Sequence, residues 1–382
     1  MVSISAKREL VCRFRGEYGQ ADRAGKGRIL DSLCQATGWN RKYAIGAVRS
    51  LPVGRRRGQR KRKRTYGVNE EAALVKVWRL SGFLASKRLA PFLGEFLDAL
   101  ERHGELRLPE PTRSRLANMS ASTIDRLLRR HRNSHPRGPS LTKPGGLLKK
   151  QVAIRTANGW EEDKPGYCEI DTVAHCGECY EGTFHFTLSL TDICTGWSEF
   201  AVLKGRTQFE AVTQLKSIKG RLPFEVLGLD SDNGSEFINY HLAAFCSEAK
   251  IQFTRCRPYV KNDQCHIEQK NGAIVRKHAG YARYDTPEQS RLLARLYGVL
   301  RLLVNFYEPS LKGKEKAATP YRRLLASGIL SKEATGELEK VYRSLNPVAL
   351  RNELMAVKKE LLGLDAMVSF LDEATIDFGS GF

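Results

Sequence analysis

From residue 167 onward the chain reads as short apolar runs separated by turns, then as helix-like and strand-like stretches in alternation. Residues 167–173, 183–190 and 197–202 are rich in β-branched and aromatic side chains, and Thr195-Gly196 supplies the turn between the last two. Residues 209–218 have helical spacing, 224–229 read as a fourth strand, 238–249 as a helix and 251–254 as a short fifth strand. Strands in succession followed by alternating helix and strand predict an α/β layered domain built on a mixed sheet.

Three acids sit at defined places in that pattern. Asp171 and Asp232 each end an apolar, strand-like run, and Glu268 falls on the helix-like stretch after the fifth strand. Between Asp232 and Glu268 lie 35 residues. Carboxylates at the ends of neighbouring strands, faced by a third on a helix, make a hard-oxygen site suited to Mg2+ or Mn2+. Two such ions would polarise a phosphodiester and activate a water or a 3′-hydroxyl for in-line displacement. Taken alone, Asp232-Asn233-Gly234 has turn chemistry, and a lone Asp after a strand often caps a helix. Asp230 competes with Asp232, because residues two apart on a strand share a face.

Asp171, the signature Asp232-Asn233-Gly234-Ser235-Glu236-Phe237, Arg257-Pro258-Tyr259, and Glu268 with Asn271 three residues on together resemble the DDE transposase and retroviral-integrase superfamily. Residues 253–259 and 268–272 look like the transposases of bacterial insertion sequences. The resemblance covers roughly residues 151–312. It implies an RNase H-like catalytic core, with Asp171, Asp232 and Glu268 as catalytic residues and ligands of two Mg2+ or Mn2+ ions. It also implies helix-turn-helix segments ahead of the core, and a homo-oligomer acting on DNA. Gln269 and Asn271 resemble positions that touch DNA in the family. Retroviral integrases end in a small β-barrel, whereas residues 321–329 and 338–362 here look helical.

Charge agrees with a polyanionic partner. The net charge is +21 and the isoelectric point is near 9.7, a field that points to nucleic acid or to an anionic membrane surface. No stretch approaches the 18 consecutive apolar residues of a membrane span, and the N-terminus has no apolar signal-like segment. Nine scattered cysteines fit a reducing compartment better than a disulfide framework. Cys176 and Cys179 have metal-like spacing, but no second ligand pair of that kind follows; a hairpin turn flanked by Gly177 and Gly182 is the other reading. His175, His185 and His266 lie near the acids in sequence, but metal-bound water needs no histidine base.

Ahead of the core, Gly38 ends one helix-like segment and Asn40 can cap the next, the pattern of a helix-turn-helix. Arg41, Lys42 and Arg49 on that second helix are candidate DNA contacts. In residues 55–64 eight of ten are Lys or Arg, too polar to bury and suited to DNA backbone or minor-groove contact through Arg55, Arg56, Arg57, Arg60, Lys61 and Arg62. A second such pattern ends in residues 121–132, where Arg126 and Arg129 are the candidate contacts, although arginines near a helix C-terminus also suit the helix dipole. Around the third acid, Arg257, Lys261, Lys270 and Asn271 are candidate DNA contacts. The predicted organisation is an N-terminal DNA-binding region (1–54), a basic linker (55–66), a second helical region (67–133), a linker (134–150), the α/β core (151–312), and a helical C-terminal region with an acidic tail (313–382).

The expected function is that of a DNA transposase of an insertion sequence, which binds terminal inverted repeats and carries out strand cleavage and strand transfer. Double-stranded DNA is the expected partner and the bacterial cytoplasm, at the nucleoid, the expected location. Two other readings use the same residues: a DNA-binding regulator derived from a transposase, and an RNase H-like nuclease acting on RNA–DNA hybrids.

Overall fold

A computed structural model describes residues 3–50, 65–132, 163–231 apart from 178 and 206, 240–255, and 265–363 apart from 314; Glu268 is described in its backbone only. The basic run after residue 54, Asp232 with its signature, Arg257, Lys261, the linker at 134–150 and the acidic tail lie outside the described residues. The chain divides into two compact units, Met1–Thr65 and Tyr66–Phe382.

The first unit holds three helices: α1 (Ile4–Gln20), α2 (Arg23–Thr37) and α3 (Arg41–Ser50). Each start is set by a side chain that accepts an otherwise orphaned backbone N–H. Ser3 takes that of Ala6, Asp22 that of Gly25 at 2.7 Å, and Asn40 that of Tyr43 at 2.8 Å. Gly38 adopts φ +72° and closes α2 by donating to the Cys34 carbonyl, a left-handed conformation that glycine enters without steric cost. Val11, Leu30, Leu33, Ala44 and Val48 form a small core of their own. The turn foreseen at Gly38 and Asn40 is therefore present, with α3 as its second helix.

In the second unit, α4 (Val68–Leu80), α5 (Ser86–Arg102), α6 (Glu110–Ala117) and α7 (Ala121–Arg132) precede the sheet. The sheet has five strands: β1 (Tyr167–Ala174), β2 (Phe186–Asp192), β3 (Ser198–Leu203), β4 (Gly228–Ser231) and β5 (Gln252–Arg255). Their order across it is β3-β2-β1-β4-β5. The first three run antiparallel as a meander, while β4 and β5 lie parallel to β1. Helices α8 (Gln208–Lys219) and α9 (Tyr240–Glu248) make the crossovers that parallel neighbours need. The mixed α/β sheet expected from the sequence is what forms.

Three boundaries differ from the expectation. The second strand, expected from residue 183, starts at Phe186. Residues 224–227 are apolar but not strand: Phe224 and Val226 are buried as coil, and β4 starts only at Gly228. The cause is Gly166, whose carbonyl receives the N–H groups of both Leu227 and Gly228 and so holds the approach to the strand. Residues 338–362, read as one helix, are two: α14 (Lys332–Ser344) and α15 (Pro347–Leu362). Pro347 has no N–H to continue α14, and Asn346 caps the new start through the N–H groups of Val348 and Ala349.

After β5 come α10 (Cys265–Lys270), a π-helical stretch Asn271–Arg276, α11 (Lys277–Ala279), α12 (Pro287–Tyr307) and α13 (Pro320–Ala326). Helix α12 lies against β3, stitched there by Asn305, whose amide accepts from Ser198 N–H and donates to its carbonyl at 2.8 and 2.9 Å. Beside it, the buried carboxylate of Glu199 receives Arg301, Arg221 and the Trp197 indole N–H. Residues 67–133, read from the sequence as a region of their own, share one continuous core with the sheet and with α12–α15. Phe96 of α5 meets Tyr307 edge-on, and Asn346 donates to Glu105. Among the described residues no helix is long and apolar enough to cross a membrane.

Candidate active site around Asp171

The site begins with a mismatch between two pairings of one strand. On one side β1 pairs with β2 through Ala174; on the other its parallel pairing with β4 ends at Ile170 opposite Ser231. Asp171 is thus inside the strand rather than at its end, one residue beyond the last β1–β4 pair. In open α/β sheets ligands bind just outside the carboxyl ends of parallel strands, and Asp171 stands at that edge. Asp232 follows Ser231 directly in sequence and lies outside the described residues.

The Asp171 carboxylate is held from two directions. Its Oδ1 accepts the Thr172 N–H and its Oδ2 accepts the side-chain amide of Asn271, both at 2.7 Å. A second link lies two residues earlier on the same face of β1. The buried carboxylate of Glu169 accepts the N–H of Ile267 at 2.8 Å, near the start of α10 where a helix presents unpaired donors. The helix is therefore fastened to β1 at residues 267 and 271, and position 268 lies between the two fastenings. Glu169 was not foreseen. Its signal was available, an acid inside the strand-like run Cys168-Glu169-Ile170, where burial demands a partner.

Asp230 is fully buried on β4 and accepts the Thr254 hydroxyl across the β4–β5 pair at 2.6 Å. That bond joins the two strands. Asn271, expected at DNA, is almost wholly buried and turned to Asp171; its side-chain amide oxygen has no hydrogen-bond partner among the described residues. Lys270, also expected at DNA, points to the Gly196 carbonyl at 3.2 Å, and burial pushes its pKa down to about 8.

The remaining candidates are dispersed. Arg41 is engaged by Asp31 within its own unit, while Lys42 and Arg49 are exposed on α3. On α7, Arg130 and His131 pair with Glu71, and Arg132 with Asp125. Arg126 and Arg129 are exposed on that helix, with no hydrogen bond or ion pair among the described residues. His175 is buried, bonded to Thr187 at 2.7 Å, and desolvation drives its pKa to about 3. His185 bonds the Thr286 carbonyl. Both rings thus brace β1 and β2 against α12 and the turn before it. Near Cys176 and Cys179 the loop is fixed by Arg283, whose guanidinium reaches the carbonyls of Cys179, Glu181 and Thr183.

No family model matches the chain. The uncharacterized protein y4rM of Sinorhizobium fredii (strain NBRC 101917 / NGR234) is 40% identical over 321 residues, which cover 82% of this chain and 90% of that protein. Among solved structures, the catalytic core domain of BIV integrase aligns over 43% of this chain and 95% of its own, at 19% identity and a TM-score of 0.30. That likeness is a loose one.

Proposed function

This chain belongs to the family of that uncharacterized relative, and from its residues we propose that it is a DNA transposase with a divalent-metal polynucleotidyl-transferase centre at Asp171, Asp232 and Glu268. The observation that carries the reading is the double fastening of α10 to β1, by Glu169 at Ile267 N–H and by Asp171 at Asn271. It sets the helix that bears the third acid against the strand that bears the first. The sheet order fits an RNase H-like core, the fold that the sequence motifs imply.

The donor set suits Mg2+ or Mn2+: hard carboxylate oxygens, the one described held by two N–H donors just beyond the last β1–β4 pair. Asp171, Asp232 and Glu268 would hold the two ions. When bound, the ions supply polarisation of the phosphodiester and a nucleophilic oxygen at neutral pH. The protein's own part is positional. Thr172 and Asn271 fix the rotation of the Asp171 carboxylate, and Glu169 fixes the height of α10 on β1. Cationic side chains of α3 and α7 supply phosphate contacts that set register on duplex DNA. The reaction is hydrolysis at the ends of the element, followed by attack of the freed 3′-hydroxyl on target DNA, by a homo-oligomer on DNA.

The test uses the full chain with Mg2+ and a labelled duplex carrying the sequences that flank its gene. Wild type should nick and transfer strands. Asp171→Asn, Asp232→Asn and Glu268→Gln should each lose about a thousandfold or more in rate while binding the duplex normally. Full strand transfer by Asp232→Asn refutes the assignment. Specific binding by wild type without nicking returns the regulator reading, and preferential cleavage of an RNA–DNA hybrid returns the nuclease.

A further inference from the structure

Where α10 leaves the sheet, a cavity of about 280 Å³ opens between the β2–β3 turn, the Lys270–Lys277 stretch, the end of α12 and the start of α13. Five cations line it: Arg88, Lys270, Lys277, Lys312 and Arg323. Glu308 is the one acid in the lining. Asp192 lies close to Lys312, but its two oxygens are taken by Gly166 N–H and by the N–H and hydroxyl of Thr195.

The cations are held in place by neutral groups. Lys270 donates to the Gly196 carbonyl, Lys312 to that of Cys194 at 2.9 Å, and Arg88 to that of Pro309. Arg323 is bound by Ser310 and the Thr195 carbonyl, and its buried Nε has no partner among the described residues. The Lys277 side chain makes no hydrogen bond among the described residues. The one carboxylate, Glu308, also faces Arg351 at 4.0 Å, so five lining cations share a single acid, and buried cations in excess of their countercharge are costly. Fixed ammonium and guanidinium donors around one cavity match a tetrahedral oxyanion.

We propose that this cavity is a binding site for a phosphate group, which completes the charge balance behind α10 and steadies the helix that carries Glu268. The phosphate could come from a free phosphorylated compound or from a nucleic-acid backbone; the chemistry of recognition is the same. The site is separate from the Asp171 centre, because Lys270 and Asn271, adjacent in sequence, reach to different partners.

The test is a titration of the full chain with inorganic phosphate at constant ionic strength, read by melting temperature and by 31P line broadening. Wild type should show a saturable rise in melting temperature. The double variant Lys277→Gln/Lys312→Gln, which leaves Arg323 and Lys270 in place, should bind phosphate at least tenfold more weakly. Asp171→Asn should bind it as wild type does, so that failure of the catalytic reading and failure of this one are distinguishable. A short duplex that displaces phosphate identifies the source as a DNA backbone, and a duplex that binds alongside it identifies a free phosphate compound. No saturable effect in wild type, or an equal effect in the double variant, overturns the proposal.

Discussion

Replacing Asn271 with alanine separates positioning of the acid from contact with DNA. Asn271 donates to Asp171 Oδ2 at 2.7 Å from a nearly buried site. A hydrogen bond to a charged acceptor contributes about 1.5–3 kcal/mol. If the turnover step needs that carboxylate orientation in full, the variant slows by about 10- to 150-fold. Stability should move much less. The same substitution removes the Asn271 amide oxygen, which is buried without a partner among the described residues, and relief of that unsatisfied group offsets a loss of about 1–3 kcal/mol. The assay is single-turnover nicking at saturating duplex with Mg2+ varied, beside a denaturant titration. The rate at saturating DNA should fall and half-saturation in Mg2+ should rise, with DNA affinity and its salt dependence unchanged. Asn271→Asp, which sets a second carboxylate against the first, should be worse than alanine. A rate within twofold of wild type, or a loss confined to DNA affinity, refutes the positioning role and returns Asn271 to the DNA contact expected from its motif.

Glu199→Ala leaves Arg301 and Arg221 around an apolar stub and should cost about 3–5 kcal/mol in denaturant titration; a loss below about 1 kcal/mol would mean the triad is idle. His175 is kept neutral in the fold, its pKa pushed from 6.5 to about 3. The unfolded chain takes up that proton first, so its contribution is intact above about pH 6.5 and is lost as pH falls towards 3, by up to about 1.4 kcal/mol per unit. His175→Gln should flatten the stability profile between pH 6 and 4, and an unchanged slope would contradict this. Arg126→Ala and Arg129→Ala should leave melting unaltered while each lowers the salt slope of DNA binding by about 1; identical binding isotherms would take α7 out of the interface.

The sheet could be anticipated because alternation and turn chemistry are local properties. Asp171 was visible for the same reason, yet its position inside β1 was not. Where a strand ends depends on which neighbour is asked, and β2 outlasts β4 by four residues along β1. The run at 224–227 misled because burial alone does not make a strand; the carbonyl of Gly166 takes the donors that would begin one. Helical spacing continued through residues 345 and 346, so the break showed only in Pro347. The directions of Lys270 and Asn271 were hidden too. Periodicity places side chains on faces of a helix but does not say which face meets the strand and which meets the Gly196 turn. Glu169 differs in part: an acid inside a strand-like run signals a buried partner, but that its partner is the Ile267 N–H, about a hundred residues away, was hidden.

The common core of α5, the sheet and α12–α15 has a consequence for how the polypeptide is made. Phe96 leaves the ribosome roughly two hundred residues before Tyr307, its ring partner. At about 5–20 residues per second the wait is on the order of ten to forty seconds. During that interval α6 and α7 already pack on α5, but the face of α5 that meets α12 and α15 stays uncovered, whereas α1–α3 can settle at once among themselves. A nascent chain of this design should engage holding chaperones through its middle third and release them only as α15 emerges.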